Sequence, residues 1–219
     1  MSGRRFHVMG FIGGIGSGKS ALADWVGNTL GAKVINADEA GHRALQQPEV
    51  RKSLREAFGS GVFDESGAVI RGRLAALVFG PGEPEQTARR QLEQIVHPVI
   101  RRDLEQQIAD AGQKHELILL DAAVMLESGW QNVCDAVVFV DVPAEVRLAR
   151  ILKTRNWTAA ELARRESSQL PLDVKRAAAD VTIDNSDSLE RAGRQFLDWY
   201  NDWRRTHHLG GDDTHGHRH

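Results

Sequence analysis

A single cysteine, Cys134, stands among 219 residues, so no internal disulfide can form. That absence fits a reducing compartment, as does the lack of a basic-then-apolar leader, and both make the cytoplasm the expected location. No apolar run reaches the roughly 18 residues that cross a bilayer, which predicts a soluble chain without a membrane partner. Prolines number only 6 while 41% of residues are apolar, a composition that supports a sizeable core and not a disordered chain. Excess positive charge is missing as well: 28 Lys and Arg face 30 Asp and Glu, a formal net charge of −2. A general nucleic-acid binder needs a cationic surplus to displace counterions, so that class is disfavoured. No repeat period is evident, which argues against a solenoid. The length suits one α/β domain with insertions.

What is present begins with an apolar stretch, Phe6 to Ile12, that runs into a glycine-rich turn. The helical pattern of Ala21, Leu22, Trp25, Val26 and Leu30 follows at once, so the segment reads as strand, loop, helix. Gly31 stops that helix, and Lys33 to Asn36 reads as a second short strand. Further strands are read at Glu116 to Asp121, Ala136 to Asp141 and Val181 to Asp184. Strands separated by long helical segments imply parallel pairing, because each crossover needs a helix, and hence a five-stranded sheet covered on both faces.

Two stretches exceed what a connection requires. The first, from Ala40 to Gly112, is mostly helical, broken at FGSGVFDESG and FGPGEPE, and reads as an inserted substrate-binding subdomain. The second carries Arg147, Arg150, Lys153, Arg155, Arg164, Arg165 and Lys175 and reads as a mobile basic flap. The predicted organisation is a nucleotide-binding core from residues 1–39, 113–146 and 176–205, a helical insertion at 40–112 and a lid at 147–175. A histidine-rich tail at 206–219 is expected to be disordered and to play no part in the chemistry.

The segment GGIGSGKS, Gly13 to Ser20, satisfies GxxxxGK[ST] in the strand-before, helix-after setting that the pattern requires. Gly13, Gly14, Gly16 and Gly18 let the backbone wrap an anion, so that the amides from Gly13 through Ile15 and Ser17 to Ala21 point inward. Lys19 would neutralise the β and γ phosphates of ATP, and Ser20 would hold Mg²⁺ through its hydroxyl. A nucleoside triphosphate site follows, but not the choice among kinase, GTPase and ATP-driven switch.

A kinase also needs a group to take the proton from the attacking hydroxyl. Asp38, just past the second strand at the carboxyl edge of the sheet, is the candidate; it suits equally the cap of a helix beginning near Glu39. Asp121 closes the strand ELILLD, the position of a Walker B carboxylate that orients Mg²⁺, with a solvated strand end as the alternative. Arg150 and Arg155 on the flap would meet the transferring phosphate, or lie on a solvated helix face. Trp130, Trp157, Trp199 and Trp203 suit core, lid or interface, with core the default.

The arrangement resembles the dephospho-CoA kinase family from about Phe6 to Phe196. The elements that carry the resemblance are GGIGSGKS, VINADEAGH with Asp38, Phe58-Gly59, IRGRLAALVF with Arg71 and Phe79, and IVHP with His97. They continue with LLDAAVMLESGW with Glu127, RLARILKTR with Arg150 and Arg155, Gln169, Lys175, AAAD ending at Asp180, and IDN ending at Asn185. The resemblance implies a P-loop kinase fold and transfer of the ATP γ-phosphoryl to the ribose 3′-hydroxyl of dephospho-CoA. It makes Asp38 the catalytic base, assisted by Lys19 and Arg150, and sets Asn185 near the adenine of ATP. It assigns the acceptor to Asp38, His42, Arg71, His97 and Glu127, although His97 before Pro98 suits helix packing equally. Mg²⁺ is the implied cofactor, ATP and dephospho-CoA the implied partners, and a monomer or weak homo-oligomer the expected state.

The chain departs from the family pattern at four places. Asn36 stands where a first aspartate is usual, Ala123-Val124-Met125 where Pro-Leu-Leu is usual, Ile12 where a threonine is usual and Arg147 where a glutamine is common. Two rivals stay open: a kinase for another small hydroxylated metabolite, and a non-catalytic nucleotide-dependent switch. A GTPase has no support, because no Asn-x-x-Asp candidate falls at a suitable strand end.

Overall fold

The computed structural model describes residues 5–80, 82–155 and 157–207. Of the tail, the residues beyond His207 lie outside the described residues. The strands are β1 (His7–Gly13), β2 (Lys33–Asn36), β3 (Leu117–Asp121), β4 (Ala136–Asp141) and β5 (Val181–Asp184). They form one all-parallel sheet in the order β2-β3-β1-β4-β5. β1 lies at the centre, with His7 opposite Leu117 of β3 and Met9 opposite Ala136 of β4. Every residue of β1 and β3 is buried, including the positions that would face solvent in a one-sided sheet. That continuous apolar character is what a parallel strand covered on both faces requires. The second, fourth and fifth strands fall where the sequence predicts them, the first starts and ends one residue later, and the third starts one residue later.

Helix α1 (Lys19–Leu30) and the long C-terminal helix Leu189–Thr206 cover one face. Phe11, Leu22, Val26, Leu119, Val138 and Phe196 meet in the resulting core, with Trp25, Trp199 and Trp203 packed against it. The two helices approach closely because Gly193 lacks a side chain: a Cβ there would fall 2.2 Å from the Trp25 ring. Trp130 is buried too, so the core reading holds for three of the four tryptophans left open. Trp157 differs, lying under the guanidinium groups of Arg155 and Arg165, 4.9 and 4.0 Å from its ring centroid. Two aspartates stitch strand starts: Asp135 accepts from the Val8 amide and Asp180 from that of Val137, each at 2.7 Å.

The chain divides into two compact units, 5–35 with 108–207 and Asn36–Gln107. The second unit holds α2 (Ala37–Ala44), α3 (Pro48–Phe58), α4 (Arg71–Val78) and most of α5 (Glu83–Gly112), with one antiparallel bridge between Phe63 and Val69. FDESG is a tight turn: the Asp64 carboxylate accepts from the Ser66 hydroxyl and from the Ser66 and Ala68 amides, bonds that hold its pKa below the usual range. Arg43 of α2 reaches Asp103 of α5 with two nitrogens, at 2.8 and 3.1 Å. In the first unit, α6 (Ala144–Arg155), α7 (Ala159–Glu166) and α8 (Leu172–Ala177) span the 147–175 stretch read as a lid and extend past it at both ends, and the C-terminal helix is α9.

Candidate active site

The phosphate loop joins β1 to α1, and its glycines serve different needs. Gly16 and Gly18 have φ of 82° and 78°, a left-handed conformation that residues with a Cβ rarely adopt. Gly13 is extended, but a Cβ there would fall 2.7 Å from the Ser17 hydroxyl and 2.8 Å from the Val140 carbonyl. The Ser17 amide closes the turn on the Gly14 carbonyl at 3.1 Å. Gly18 is the N-cap of α1 and offers no side-chain acceptor, so Lys19, Ser20 and Ala21 open the helix with backbone donors that an anion can satisfy.

Side chains from neighbouring segments hold the loop from outside. The buried Asn185, just after β5, donates from Nδ2 to the Ser17 carbonyl at 2.7 Å. Arg150 of α6 donates to the same carbonyl at 3.4 Å and to the Asn185 carbonyl at 2.8 Å. Arg147, one turn earlier, donates from Nη1 to the Ile15 carbonyl at 3.1 Å.

Lys19 and Asp121 meet directly, Nζ donating to Oδ1. The Asp121 carboxylate is only 3% exposed, so it is not a solvated strand end. It sits beneath the loop lysine and offers oxygen to whatever replaces that partner.

Asp38 is exposed, the second residue of α2. It does not cap that helix. Asn36 does, its Oδ1 accepting from the Asp38 and Glu39 amides at 2.8 and 3.4 Å. The helix thus starts two residues earlier than the capping alternative supposed, and the amide at Asn36 is chemically apt for the place. His42 lies one turn after Asp38 on the same face of α2, also exposed. Arg71 opens α4 and is exposed; His97 is half-buried within α5, directly before the helical Pro98.

The basic flap differs from the sequence reading. Two of its cations, Arg147 and Lys175, are turned inward, 5% and 1% exposed. Lys175 Nζ donates to the Ala123 carbonyl at 2.9 Å and to Gln169 Oε1 at 3.0 Å, and lies 3.1 Å from Glu127 Oε1. Glu127 also accepts from the Leu170 amide at 2.8 Å, so it is engaged with the segment between α7 and α8. Met125, in the divergent Ala-Val-Met stretch, is fully buried, its sulfur 2.6 Å from where a Gly10 Cβ would stand. Glu166 is the residue the sequence reading missed: it pairs with Arg147. The signal available was a basic residue among the apolar positions of α6, which marks an inward cation only once the helix face is known.

A parallel sheet with this strand order, a phosphate loop after the central strand and basic helices beside it define a P-loop nucleotide-binding fold. The fold is shared with a shikimate kinase from Acinetobacter baumannii, at TM-score 0.52 and 15% identity over 94% of this chain and 97% of that one. The chain belongs to the dephospho-CoA kinase family, whose model matches residues 7–191. A dephospho-CoA kinase of Syntrophotalea carbinolica is 39% identical over 87% of this chain and 89% of its own length. One of Corynebacterium diphtheriae is 38% identical over 87% and 95%. The crystal structure of TT1252 from Thermus thermophilus superposes at TM-score 0.76 with 28% identity, covering 90% of this chain and 97% of that one.

Proposed function

We infer that this chain transfers the γ-phosphoryl group of ATP to the 3′-hydroxyl of dephospho-CoA, giving ADP and CoA, the last step of coenzyme A synthesis. The observation that carries this is the family match across residues 7–191, which takes in both the phosphate-loop unit and the helical unit. The loop amides and Lys19 hold the triphosphate, which requires Lys19 to leave Asp121. Ser20 and Asp121 offer only hydroxyl and carboxylate oxygen, a donor set suited to Mg²⁺, which would neutralise phosphate charge there.

Asp38 accepts the 3′-hydroxyl proton as that oxygen attacks the γ-phosphorus and the bond to the ADP oxygen breaks. Its exposed carboxylate, left unused by the cap that Asn36 supplies, supports the assignment. We assign His42, Arg71 and His97 to the acceptor side, and Arg150 and Asn185 to support of the nucleotide loop. Glu127 we assign to anchoring the lid through Lys175. Among the described residues no helix is long and apolar enough to cross a membrane; the cytoplasm is the proposed setting.

The test is ADP release with ATP and a panel of acceptors: dephospho-CoA, adenosine and a sugar acid. Turnover with dephospho-CoA well above the others supports the reading. A preference for another acceptor assigns a different metabolite kinase, and ATP binding without turnover of any acceptor assigns a switch.

A further inference from the structure

A loop that aims successive amides inward must turn carbonyls outward, and buried carbonyls need donors. Here α6 supplies two arginines, three residues apart: Arg147 to the Ile15 carbonyl at 3.1 Å and Arg150 to that of Ser17 at 3.4 Å. Arg150 is half-buried, whereas Arg147 is 5% exposed and its Nε has no partner among the described residues. Its charge is met by Glu166, the last residue of α7, which accepts from the same Nη1 that holds Ile15. Room for the guanidinium exists because Gly14 lacks a side chain, whose Cβ would stand 2.9 Å from Nη1. Gly16 is fitted likewise, since a Cβ there would fall 2.8 Å from the Arg147 carbonyl.

A buried ion pair contributes little net stability compared with apolar residues of similar volume. Stability alone therefore gives no reason for this pair, while its geometry gives one. We propose that Arg147 is a positioning residue for ATP: Glu166 orients its guanidinium, which holds the Ile15 carbonyl outward and so keeps the Gly16 amide, in the same peptide plane, aimed at the phosphates. The same pair ties the loop to the end of α7, so the lid and the phosphate site share this contact. This inference rests on the loop being the ATP site and adds to that reading what fixes the loop's shape.

The test compares wild type with Arg147→Met, Glu166→Gln and the double variant Arg147→Met/Glu166→Leu. It measures ATP and dephospho-CoA affinity by calorimetry, KM and kcat for both substrates, and the melting temperature. Losing a charged hydrogen bond that shapes the loop raises the ATP Kd and KM about tenfold in Arg147→Met. Dephospho-CoA affinity stays within about twofold, a split that a merely structural role would not produce. Glu166→Gln keeps an acceptor and falls between. The double variant removes both charges, so it melts close to wild type yet keeps the ATP defect, and it carries the test even if Arg147→Met folds poorly. ATP binding within about twofold of wild type in the double variant, or equal weakening of both substrates, would overturn the proposal. Wild-type protein that binds no ATP would instead refute the nucleotide site itself, a distinguishable result.

Discussion

Replacing Lys175 by methionine isolates what anchors α8 and the segment before it. The lysine side chain is 1% exposed and its ammonium serves the Ala123 carbonyl, Gln169 and Glu127. Methionine fills much of the stem's volume, so the loss is chiefly electrostatic. Glu127 is 15% exposed, its Oε2 already lacks a partner among the described residues, and only the Leu170 amide would remain on Oε1. An uncompensated buried carboxylate of this kind costs about 3–5 kcal/mol. For a chain of this size each kcal/mol lowers Tm by about 2–4 °C, so a fall of roughly 6–20 °C is expected. The double variant Lys175→Met/Glu127→Leu removes the stranded charge and should recover more than half. About 1 kcal/mol of deficit should remain, because the Ala123 carbonyl still lacks its donor. Urea unfolding followed by tryptophan fluorescence reads both values. A single variant costing less than about 1 kcal/mol, or a double variant as damaged as the single, refutes the anchoring argument.

Other substitutions separate the remaining roles. Lys19→Ala removes the cation from the buried Asp121, so stability should fall by about 3–5 kcal/mol and turnover by about 10²–10³-fold. Adding Asp121→Asn should restore the stability but not the turnover; restored turnover would contradict the phosphate role of Lys19. Asn36→Asp keeps the α2 cap and should leave Tm nearly unchanged, whereas Asn36→Ala should cost about 1 kcal/mol; equal melting of both variants would refute the cap. Burial lowers the pKa of His7, with Asp135 and Glu116 opposing and His207 assisting, and the ring sits edge-on to Trp203 at 4.9 Å. Its folded form binds a proton less readily than the unfolded chain does. Its contribution is therefore present above about pH 6.5 and lost as pH falls below it. Melting curves should drop more steeply from about pH 7 to pH 5.5 for wild type than for His7→Phe. Parallel curves for the two would contradict this.

The strands and the phosphate loop were legible in the sequence because each is local: a run such as AVVFV bounded by aspartates, or lysine and serine following a glycine turn. Strand order was not, since which parallel strands pair is decided by crossovers tens of residues long. The cap of α2 was ambiguous for a related reason. Asn36 and Asp38 are both good capping residues, and only a helix start at Ala37 decides between them. The inward cations escaped notice because lysine and arginine are rarely fully buried. Lys175 and Arg147 reveal their places only once Glu127 and Glu166, 48 and 19 positions away, are seen to receive them. The departures from the family pattern gain partial explanations in the same way. Asn36 caps, Arg147 braces, and Met125 packs under Gly10, while nothing in the structure accounts for Ile12.

The central claim is that the loop grips ATP while Asp38 readies the acceptor hydroxyl, and a single-turnover comparison of wild type with Asp38→Ala on dephospho-CoA tests it most directly. The account predicts phosphoryl transfer slowed about 10²–10⁴-fold, with ATP affinity within about twofold of wild type. Transfer at nearly the wild-type rate would contradict it.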